Sequence, residues 1–354
     1  MKPFDGKRLL ITGGTGSLGK ILTRRLLSGE MGDPAKIIVL SRDEAKQHFM
    51  RVEYQTHQRA TDDAIWHNFQ RKLEFRIGDV RDLGSVAAAL RDADVVFSAA
   101  AMKQVPTCEY YPYEAVRTNI AGAENIVRAI QEHDLPVETV IGVSTDKACK
   151  PVNVMGMTKA IQERVYIQGN MRAPRTRFVC TRYGNVLASR GSVVPLFHDQ
   201  IRAGGPVTIT TNDMTRFLLS LDDAVDLVFA AYQQANAGEI WVPRAPSALM
   251  TNVAQALIGD RDIPVQVTGI RPGEKTHEIM ISDEEAHFTE DRGRYYAILP
   301  MIPEVLGDRT PTIALKKEYS SADEVMDLAG TRQLLSDRGL LVEQQDGRTG
   351  EMLR

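Results

Sequence analysis

The stretch RLLITGGTGSLG, residues 8–19, decides the fold. A short apolar strand runs into a glycine loop, and apolar side chains at helical spacing follow the loop. The loop has the pattern G-x-x-G-x-x-G, which lets the backbone turn tightly and approach a pyrophosphate at a helix N-terminus. Its position after the first strand favours a dinucleotide site over a plain turn. We expect cofactor contacts from Gly13, Thr15, Gly16, Ser17, Leu18 and Gly19.

Five further apolar runs of strand length alternate with helical segments. They cover residues 37–40, 73–77, 94–97, 140–143 and 177–181. This alternation predicts an α/β fold with a doubly wound parallel sheet of the Rossmann type. We expect an NADP-binding domain over 1–186, to which a segment near 218–242 returns. Residues 187–217 and 243–335 should form a smaller C-terminal substrate-binding lobe, followed by a polar tail over 336–354.

The end of the second strand tests which dinucleotide is bound. An acidic side chain here would accept a hydrogen bond from a ribose 2'-hydroxyl, as NAD requires. The sequence instead has Ser41 and Arg42, which can donate to a 2'-phosphate. NADP is therefore favoured over NAD, with a plain surface charge as the alternative for Arg42.

The composition excludes several functional classes. The 354 residues carry a net charge of -3, from 43 basic and 46 acidic side chains. Nothing therefore favours nucleic acid or a membrane surface as a partner. Three scattered cysteines and seven histidines show no metal-ligand spacing, so we expect no metal. The N-terminal segment lacks a signal-peptide pattern, and a cytoplasmic protein is expected.

A polar run, Ser144-Thr145-Asp146-Lys147, ends the fifth strand. Ligands of open parallel sheets lie at the carboxyl ends of the strands. An adjacent carboxyl and amine could supply a proton donor and a proton acceptor there. The alternative is an ordinary solvated turn pair. A helix beginning near Met155 then brings Lys159 to the same region.

Arginines in the second half could bind a diphosphate, since a guanidinium fork matches phosphate geometry. Arg190, Arg216 and Arg271 form the expected clamp, and surface ion pairs are the alternative.

Together, these motifs resemble one family. They are the glycine loop, AAAMKQVP at 99–106, STDKA at 144–148, RYGNV at 182–186 and RPGEK at 271–275. The chain resembles the UDP-N-acetylglucosamine 4,6-dehydratases of capsule and flagellin-glycan synthesis, which are extended short-chain dehydrogenases/reductases. The likeness runs from Phe4 to about Leu335. Met155 stands where the superfamily usually has the tyrosine of Tyr-x-x-x-Lys, and the short soluble capsule-type enzymes are similar in this respect.

The resemblance implies a hydro-lyase with tightly bound NADP. Its substrate would be UDP-N-acetylglucosamine, and inversion at C5 would give UDP-2-acetamido-2,6-dideoxy-beta-L-arabino-hex-4-ulose for capsule or O-antigen sugars. A 5-retaining dehydratase and a non-catalytic NADP-binding relative remain as alternatives. A sugar 4-epimerase is less favoured, because it needs no acid and base at C5 and C6. The family pattern also implies a homo-oligomer, with a hexamer as its form.

The resemblance also implies roles for individual residues. Lys147 would take the C5 proton, which requires a neutral amine; burial and a cationic neighbour such as Lys159 would lower its pKa. Asp146 would protonate the leaving 6-hydroxyl, and Thr145 would relay the 4-hydroxyl proton to water. Further cofactor contacts are expected from Asp79, Val80, Ala99, Ala100, Lys103, Asn119 and Lys159. Substrate contacts are expected from Lys103, Asn185, Arg190, Pro195, Arg216, Arg271 and Glu274.

Overall fold

A computed structural model describes residues 2–56, 63–187, 192–270 and 273–345. Its strands are β1 (Arg8–Thr12), β2 (Lys36–Ser41), β3 (Leu73–Ile77), β4 (Val95–Ser98), β5 (Thr139–Thr145), β6 (Arg177–Tyr183), β7 (Val207–Ile209), β8 (Thr215–Phe217), β9 (Ile240–Pro243), β10 (Ser247–Leu249), β11 (Val265–Val267), β12 (Ile279–Ile281), β13 (Thr289–Arg292), β14 (Tyr295–Ile298), β15 (Tyr319–Ser320) and β16 (Val325–Met326).

The helices are α1 (Ser17–Leu27), α2 (Glu44–Gln55), α3 (Asp63–Lys72), α4 (Leu83–Leu90), α5 (Val105–Tyr110), α6 (Pro112–Ala115), α7 (Gly122–His133), α8 (Val154–Arg172), α9 (Val193–Arg202), α10 (Leu221–Gln234), α11 (Met250–Ile258), α12 (Asp283–Ala286), α13 (Pro303–Leu306), α14 (Leu328–Asp337) and α15 (Val342–Gln345). A π-helical turn, Val116–Ala121, leads into α7, and a 3-10 turn, Asp146–Ala148, follows β5.

In the part of the chain that the structure describes, the largest sheet has nine strands. Their order is β13-β14-β9-β6-β5-β4-β1-β2-β3. The strands from β3 to β6 are all parallel, and β9 continues this direction beside β6. The antiparallel hairpin of β13 and β14 closes that edge. The predicted doubly wound Rossmann sheet is confirmed, and its order reverses between β1 and β4.

Smaller elements cover the carboxyl edge of this sheet. Strand β7 pairs with β11, while β8 and β16 flank β10. They pack with α9, α11 and α14 around a second apolar core. Leu340 and Val342, within the segment expected to be a polar tail, are buried in this core because their side chains are apolar amid polar neighbours.

The start of α8 fixes the turn that carries the polar run. Asn153 caps the helix by accepting a hydrogen bond of 2.8 Å from the backbone N–H of Gly156. A side chain at Gly156 would collide with the carbonyl oxygen of Lys147. Glycine therefore lets α8 lie directly against the 3-10 turn.

Candidate active site

A cavity of about 1120 Å³ follows the carboxyl ends of the parallel strands. The glycine loop and the ends of β4, β5 and β6 form one wall. Residues of α9 and β7 form the other. This is where the reversal in strand order predicts a ligand.

The glycine loop forms a cradle with almost no side chains. Gly13 has a φ of 66°, and a Cβ atom there would come within 2.7 Å of the Ala100 backbone. Gly19 packs on Gly14, where a Cβ atom would meet the backbone at 2.5 Å. The expected contacts Gly13, Gly16, Ser17, Leu18, Gly19, Ala99 and Ala100 all line the cavity. With α1 starting at Ser17, the cradle fits the pyrophosphate of a dinucleotide.

Two hydroxyl groups link this glycine loop to the end of β2. The side-chain oxygens of Thr15 and Ser41 lie 3.0 Å apart and are buried. Neither residue lines the cavity. Their hydrogen bond joins the loop to the end of β2, and their predicted contact with the cofactor stays a prediction.

A cation that the sequence interpretation missed lies beside the loop. Lys46, in the first turn of α2, lines the cavity, and its Nζ is 3.0 Å from Asp43 Oδ2. The other oxygen of Asp43 accepts from the backbone N–H of Lys46 and caps α2. Arg42 is exposed. The sequence could have indicated this second cation, since Lys46 lies shortly after Arg42 at the start of α2.

Three expected cofactor residues serve the protein framework. Asp79 forms an ion pair of 2.7 Å with Arg81. Val80 packs where a side chain on Gly122 would stand. The Asn119 amide accepts from the backbone N–H of Met102 at 2.8 Å and donates to the carbonyl oxygen of the same residue at 3.0 Å. None of the three lines the cavity, and Asn119 instead fixes the loop after β4.

Lys147 lies where the fifth strand ends, with its amine held by three acceptors. Its Nζ is 3.1 Å from Asp146 Oδ1, 3.1 Å from Asn185 Oδ1 and 3.2 Å from Glu278 Oε1. The Lys147 side chain keeps 21% of its exposure and lines the cavity. Glu278 was not predicted to belong to the site. The only indication in the sequence was the high density of charged residues in 271–278.

The sequence interpretation expects the surroundings of Lys147 to lower its pKa, and in the structure they raise it. Burial alone would lower the pKa of Lys147, but the charges of Asp146 and Glu278 outweigh burial and raise it. Lys159 is not the neighbour that sets the charge, because it contacts Val143 and Gln162. Asp146 is the larger cause of the rise in the pKa of Lys147, and the distant Glu278 adds to it.

Asp146 has the environment of a protonated acid. It is completely buried, and burial raises the pKa of its carboxyl group, with Glu278 acting in the same direction. Its Oδ2 has no hydrogen-bond partner among the described residues. Thr145 lines the cavity and donates to Asp146 Oδ1 at 2.8 Å. The Thr145 hydroxyl therefore lies between the buried carboxyl group and the cavity.

Lys159 is buried in the wall of the cavity. Its Nζ donates to the carbonyl oxygen of Val143 at 2.5 Å and to Gln162 Oε1 at 2.6 Å. Burial lowers the pKa of Lys159 to about 8. The amine therefore changes its charge close to neutral pH.

Met155 occupies the position of the usual tyrosine and lines the cavity. It is 4% exposed and packs with Cys108 and Ala115. Tyr183, at the end of β6, is a phenol in the cavity wall that was assigned no role. Burial raises its pKa, so it stays protonated at neutral pH.

The expected substrate residues divide into three groups. Lys103, Asn185, Pro195 and Glu274 line the cavity. Arg216 also lines it, but its guanidinium donates to the carbonyl oxygens of Thr215, Thr276 and Lys275. Most of its donors are thus used within the protein. Arg190 and Arg271 lie outside the described residues, so the diphosphate clamp stays a prediction.

A buried network of ion pairs contacts the polar run through Ser144. Arg182 on β6 pairs with Glu163 at 2.6 Å and with Glu285 at 2.7 Å, and its side chain is 1% exposed. Glu163 also accepts a 2.5 Å hydrogen bond from Ser144. Through these bonds α8, β6 and the segment after β12 are fixed to one another.

The described residues contain no cluster of histidine, cysteine, aspartate and glutamate suited to a metal ion. None of their helices is both long and apolar enough to span a membrane.

Fold and site together define a Rossmann enzyme of the extended short-chain dehydrogenase/reductase type. The chain belongs to the polysaccharide biosynthesis protein family, whose model matches residues 9–300. A UDP-N-acetylglucosamine 4,6-dehydratase (inverting) from Campylobacter jejuni is 45% identical over 302 residues, which cover 84% of each chain. A protein named UDP-glucose 4-epimerase from Rickettsia typhi is 44% identical over 330 residues, 90% of this chain and 92% of that one.

Solved structures share the architecture. Pen from Bacillus thuringiensis is 30% identical, with a TM-score of 0.83 over 96% of this chain and 99% of that chain. The dTDP-glucose 4,6-dehydratase DesIV from Streptomyces venezuelae was solved with NAD bound. It is 21% identical, with a TM-score of 0.62 over 76% of this chain and 86% of that chain, and it shows the fold alone.

Proposed function

We propose that the chain is a cytoplasmic UDP-N-acetylglucosamine 4,6-dehydratase, a lyase that inverts C5 and keeps NADP bound. The observation that carries this proposal is the position of Lys147, which opens to the cavity while two buried carboxylates, Asp146 and Glu278, hold its amine. Removal of water across C5 and C6 needs an acid and a base at neighbouring carbons. The inverting relatives from Campylobacter jejuni support the same reading.

The glycine cradle and the wall at Ala99 and Ala100 would hold the cofactor. A nicotinamide there would accept hydride from C4 of the sugar and return it to C6. Arg42 and Lys46 support NADP over NAD, since both can meet a 2'-phosphate. Asp43 supports the same choice because its carboxylate is engaged with α2 and Lys46.

In this proposal the chain's own groups move the protons. Lys147, once it has lost a proton, takes the proton from C5. Asp146, whose pKa is raised by burial, would supply a proton to the leaving 6-hydroxyl, with the Thr145 hydroxyl hydrogen-bonded to it at the cavity wall. Lys159 places a charge near the cofactor ribose and C4. Met155 cannot accept the 4-hydroxyl proton, so Thr145 and water remain the proposed route for it.

The sugar nucleotide would lie towards the second half of the chain. Lys103 is placed for the sugar, while Asn185 and Glu274 line the path along the uridine diphosphate. Arg216 would contribute charge more than direct hydrogen bonds, because backbone carbonyls occupy its donors.

A homo-oligomer, a hexamer in the family pattern, is part of the proposal. Exposed aromatic side chains support a subunit contact, with Tyr110 at 83% and Tyr113 at 71% exposure. Light scattering of the purified protein tests this; a monomer at micromolar concentration would contradict it.

A 4-epimerase is the second candidate, favoured by the names of the Rickettsia relatives. Epimerisation at C4 needs hydride transfer and transfer of one proton at O4. It involves no proton transfer at C5 or C6, so it would not require the Asp146 and Lys147 pair. A 5-retaining dehydratase would use the same residues. A non-catalytic NADP-binding protein would bind cofactor without turnover.

One experiment separates these candidates. The purified protein is incubated with UDP-N-acetylglucosamine in deuterated water, and the sugar is followed by proton NMR. We expect a 4-keto-6-deoxy sugar with deuterium at C5, and the coupling pattern reports inversion or retention. A C4 epimer that retains its 6-hydroxyl would support the epimerase, and an unchanged sugar in the presence of bound NADP would support the non-catalytic reading.

A further inference from the structure

The amine of Lys147 has its hydrogen-bonding capacity filled by protein groups. An ammonium has three N–H donors. Three acceptors lie within 3.2 Å of Nζ: Asp146, Asn185 and Glu278. Asp146 and Asn185 come from the ends of β5 and β6, whereas Glu278 directly precedes β12, far along the chain. The third acceptor is therefore supplied by the second half of the protein.

Glu278 approaches Lys147 from a different side than the cofactor loop. Lys147 lines both the main cavity and a smaller cavity of about 220 Å³. Glu278 lines only the smaller one. Its side chain is 4% exposed, and its Oε2 has no hydrogen-bond partner among the described residues. The carboxylate thus contacts the amine without lining the main cavity.

The charges around this pair keep both groups ionised. Burial alone would raise the pKa of Glu278, but Lys147 and Arg216 outweigh burial and lower it, with Lys275 adding to the effect. Arg216 Nε lies 3.7 Å from Glu278 Oε1. The groups that face Lys147 are therefore two carboxyls, Asp146 and Glu278, and one more distant cation, Arg216.

We propose that Glu278 is a positioning residue for Lys147, holding its amine at the cavity wall and setting the pH at which that amine becomes a base. The effect of this residue on removal of the C5 proton rests on the proposed function. The electrostatic coupling between Glu278 and Lys147 does not depend on that function. Glu278 does not line the main cavity, and it acts through its contact with Lys147.

The decisive variant is Glu278→Gln, which keeps the size and one acceptor oxygen and removes the charge. Competitive labelling with acetic anhydride over a pH series, read by peptide mass spectrometry, gives the labelling midpoint of Lys147. We expect this midpoint to fall by about 1 to 3 pH units in E278Q, because an opposite charge at this distance shifts a pKa by that amount. The same midpoint in E278Q and in the parent protein would overturn the proposal.

The chain provides a matched control three residues away. Lys150 is exposed and is also held by two carboxylates, Asp283 at 2.8 Å and Glu318 at 2.7 Å. Asp283→Asn should lower the midpoint of Lys150 and leave that of Lys147 unchanged. E278D keeps the charge and should restore most of the Lys147 midpoint. Equal effects of D283N and E278Q on Lys147 would overturn the specific role of Glu278.

Two further measurements keep the test decisive. If E278Q lacks a cooperative unfolding transition, the parent protein decides, since its Lys147 midpoint must lie above the ordinary lysine value of about 10.4. A midpoint at or below that value overturns the proposal. Exchange of the C5 proton with deuterated solvent should shift to lower pH in E278Q by the same interval as the labelling. A labelling shift without exchange in either protein would refute the proposed function while supporting the coupling.

Discussion

Lys159 donates a 2.5 Å hydrogen bond to the carbonyl oxygen of Val143, which joins the first turns of α8 to the end of β5. Gln162 accepts a second bond from the same amine at 2.6 Å. Neither acceptor carries a charge, and the nearby Cys180 and Glu163 only partly offset the cost of burying the ammonium. The pKa of Lys159 is therefore lowered to about 8.

This value predicts a pH dependence of cofactor binding. Lys159 is charged below about pH 8 and loses its charge as the pH rises through that value. Affinity for NADPH, measured by its fluorescence from pH 6.5 to 9.5 or so, should therefore decrease at the alkaline end. Lys159→Arg keeps its charge over this range and should remove the dependence. A flat profile in the parent protein would contradict the assignment.

Asp146→Asn tests the buried acid. Asparagine has nearly the same size but no acidic proton, so release of water from C6 should fall by about 10²- to 10⁴-fold. Hydride transfer from C4, followed as absorbance of reduced cofactor, should persist because it precedes this step. Rapid mixing with UDP-N-acetylglucosamine measures both. Normal formation of the 6-deoxy product would show that the acid is elsewhere.

Lys46→Ala and Arg42→Ala test the choice of dinucleotide. Each removes a cation that can meet a 2'-phosphate, and a charged hydrogen bond contributes about 1.5–3 kcal/mol. NADP should therefore bind about 10- to 100-fold more weakly, with little change for NAD, when both are titrated calorimetrically. Arg51→Ala is the control, since this exposed cation on the same helix stacks on Phe75. Equal losses for NAD and NADP would show that neither cation reads the 2' position.

The network around Arg182 predicts a large effect on stability. Glu163→Gln leaves Arg182 with one carboxylate in a buried site, which destabilises proteins by about 3–5 kcal/mol. The free energy of unfolding in guanidinium chloride measures this loss. Glu124→Gln, which breaks a partly exposed pair with Arg172, should cost no more than about 1 kcal/mol. Similar values for the two variants would contradict the structural role of the network.

The sequence predicts the sheet well because each strand is marked locally. The bounds of β1 and β3 agree with the prediction, and β5 and β6 extend only two residues further at their carboxyl ends than predicted. The glycine cradle is also marked locally, since its three spaced glycines lie within one short segment. The hydrogen bond between Thr15 and Ser41 was not foreseen, because it joins two loops that are separated in the sequence.

The charge of Lys147 could be read only in part from its neighbours in the chain. The role implied by the resemblance requires a neutral amine, and the adjacent Asp146 already acts against it by raising the pKa of Lys147. Folding also brings Glu278 to within 3.2 Å and directs Lys159 to backbone and amide oxygens. Tertiary contacts decide the protonation of a buried group, and no periodicity in the sequence reports them.

The position of β9 beside β6 has a consequence for synthesis in the cell. The ribosome completes β6 long before it releases β9, and β14 and β13 emerge later still. Until then the growing chain presents an unpaired edge containing Phe178 and Val179, both fully apolar, to other nascent chains. We therefore expect fragments that stop soon after Tyr183 to aggregate more readily than the full chain, in which β9 covers this edge.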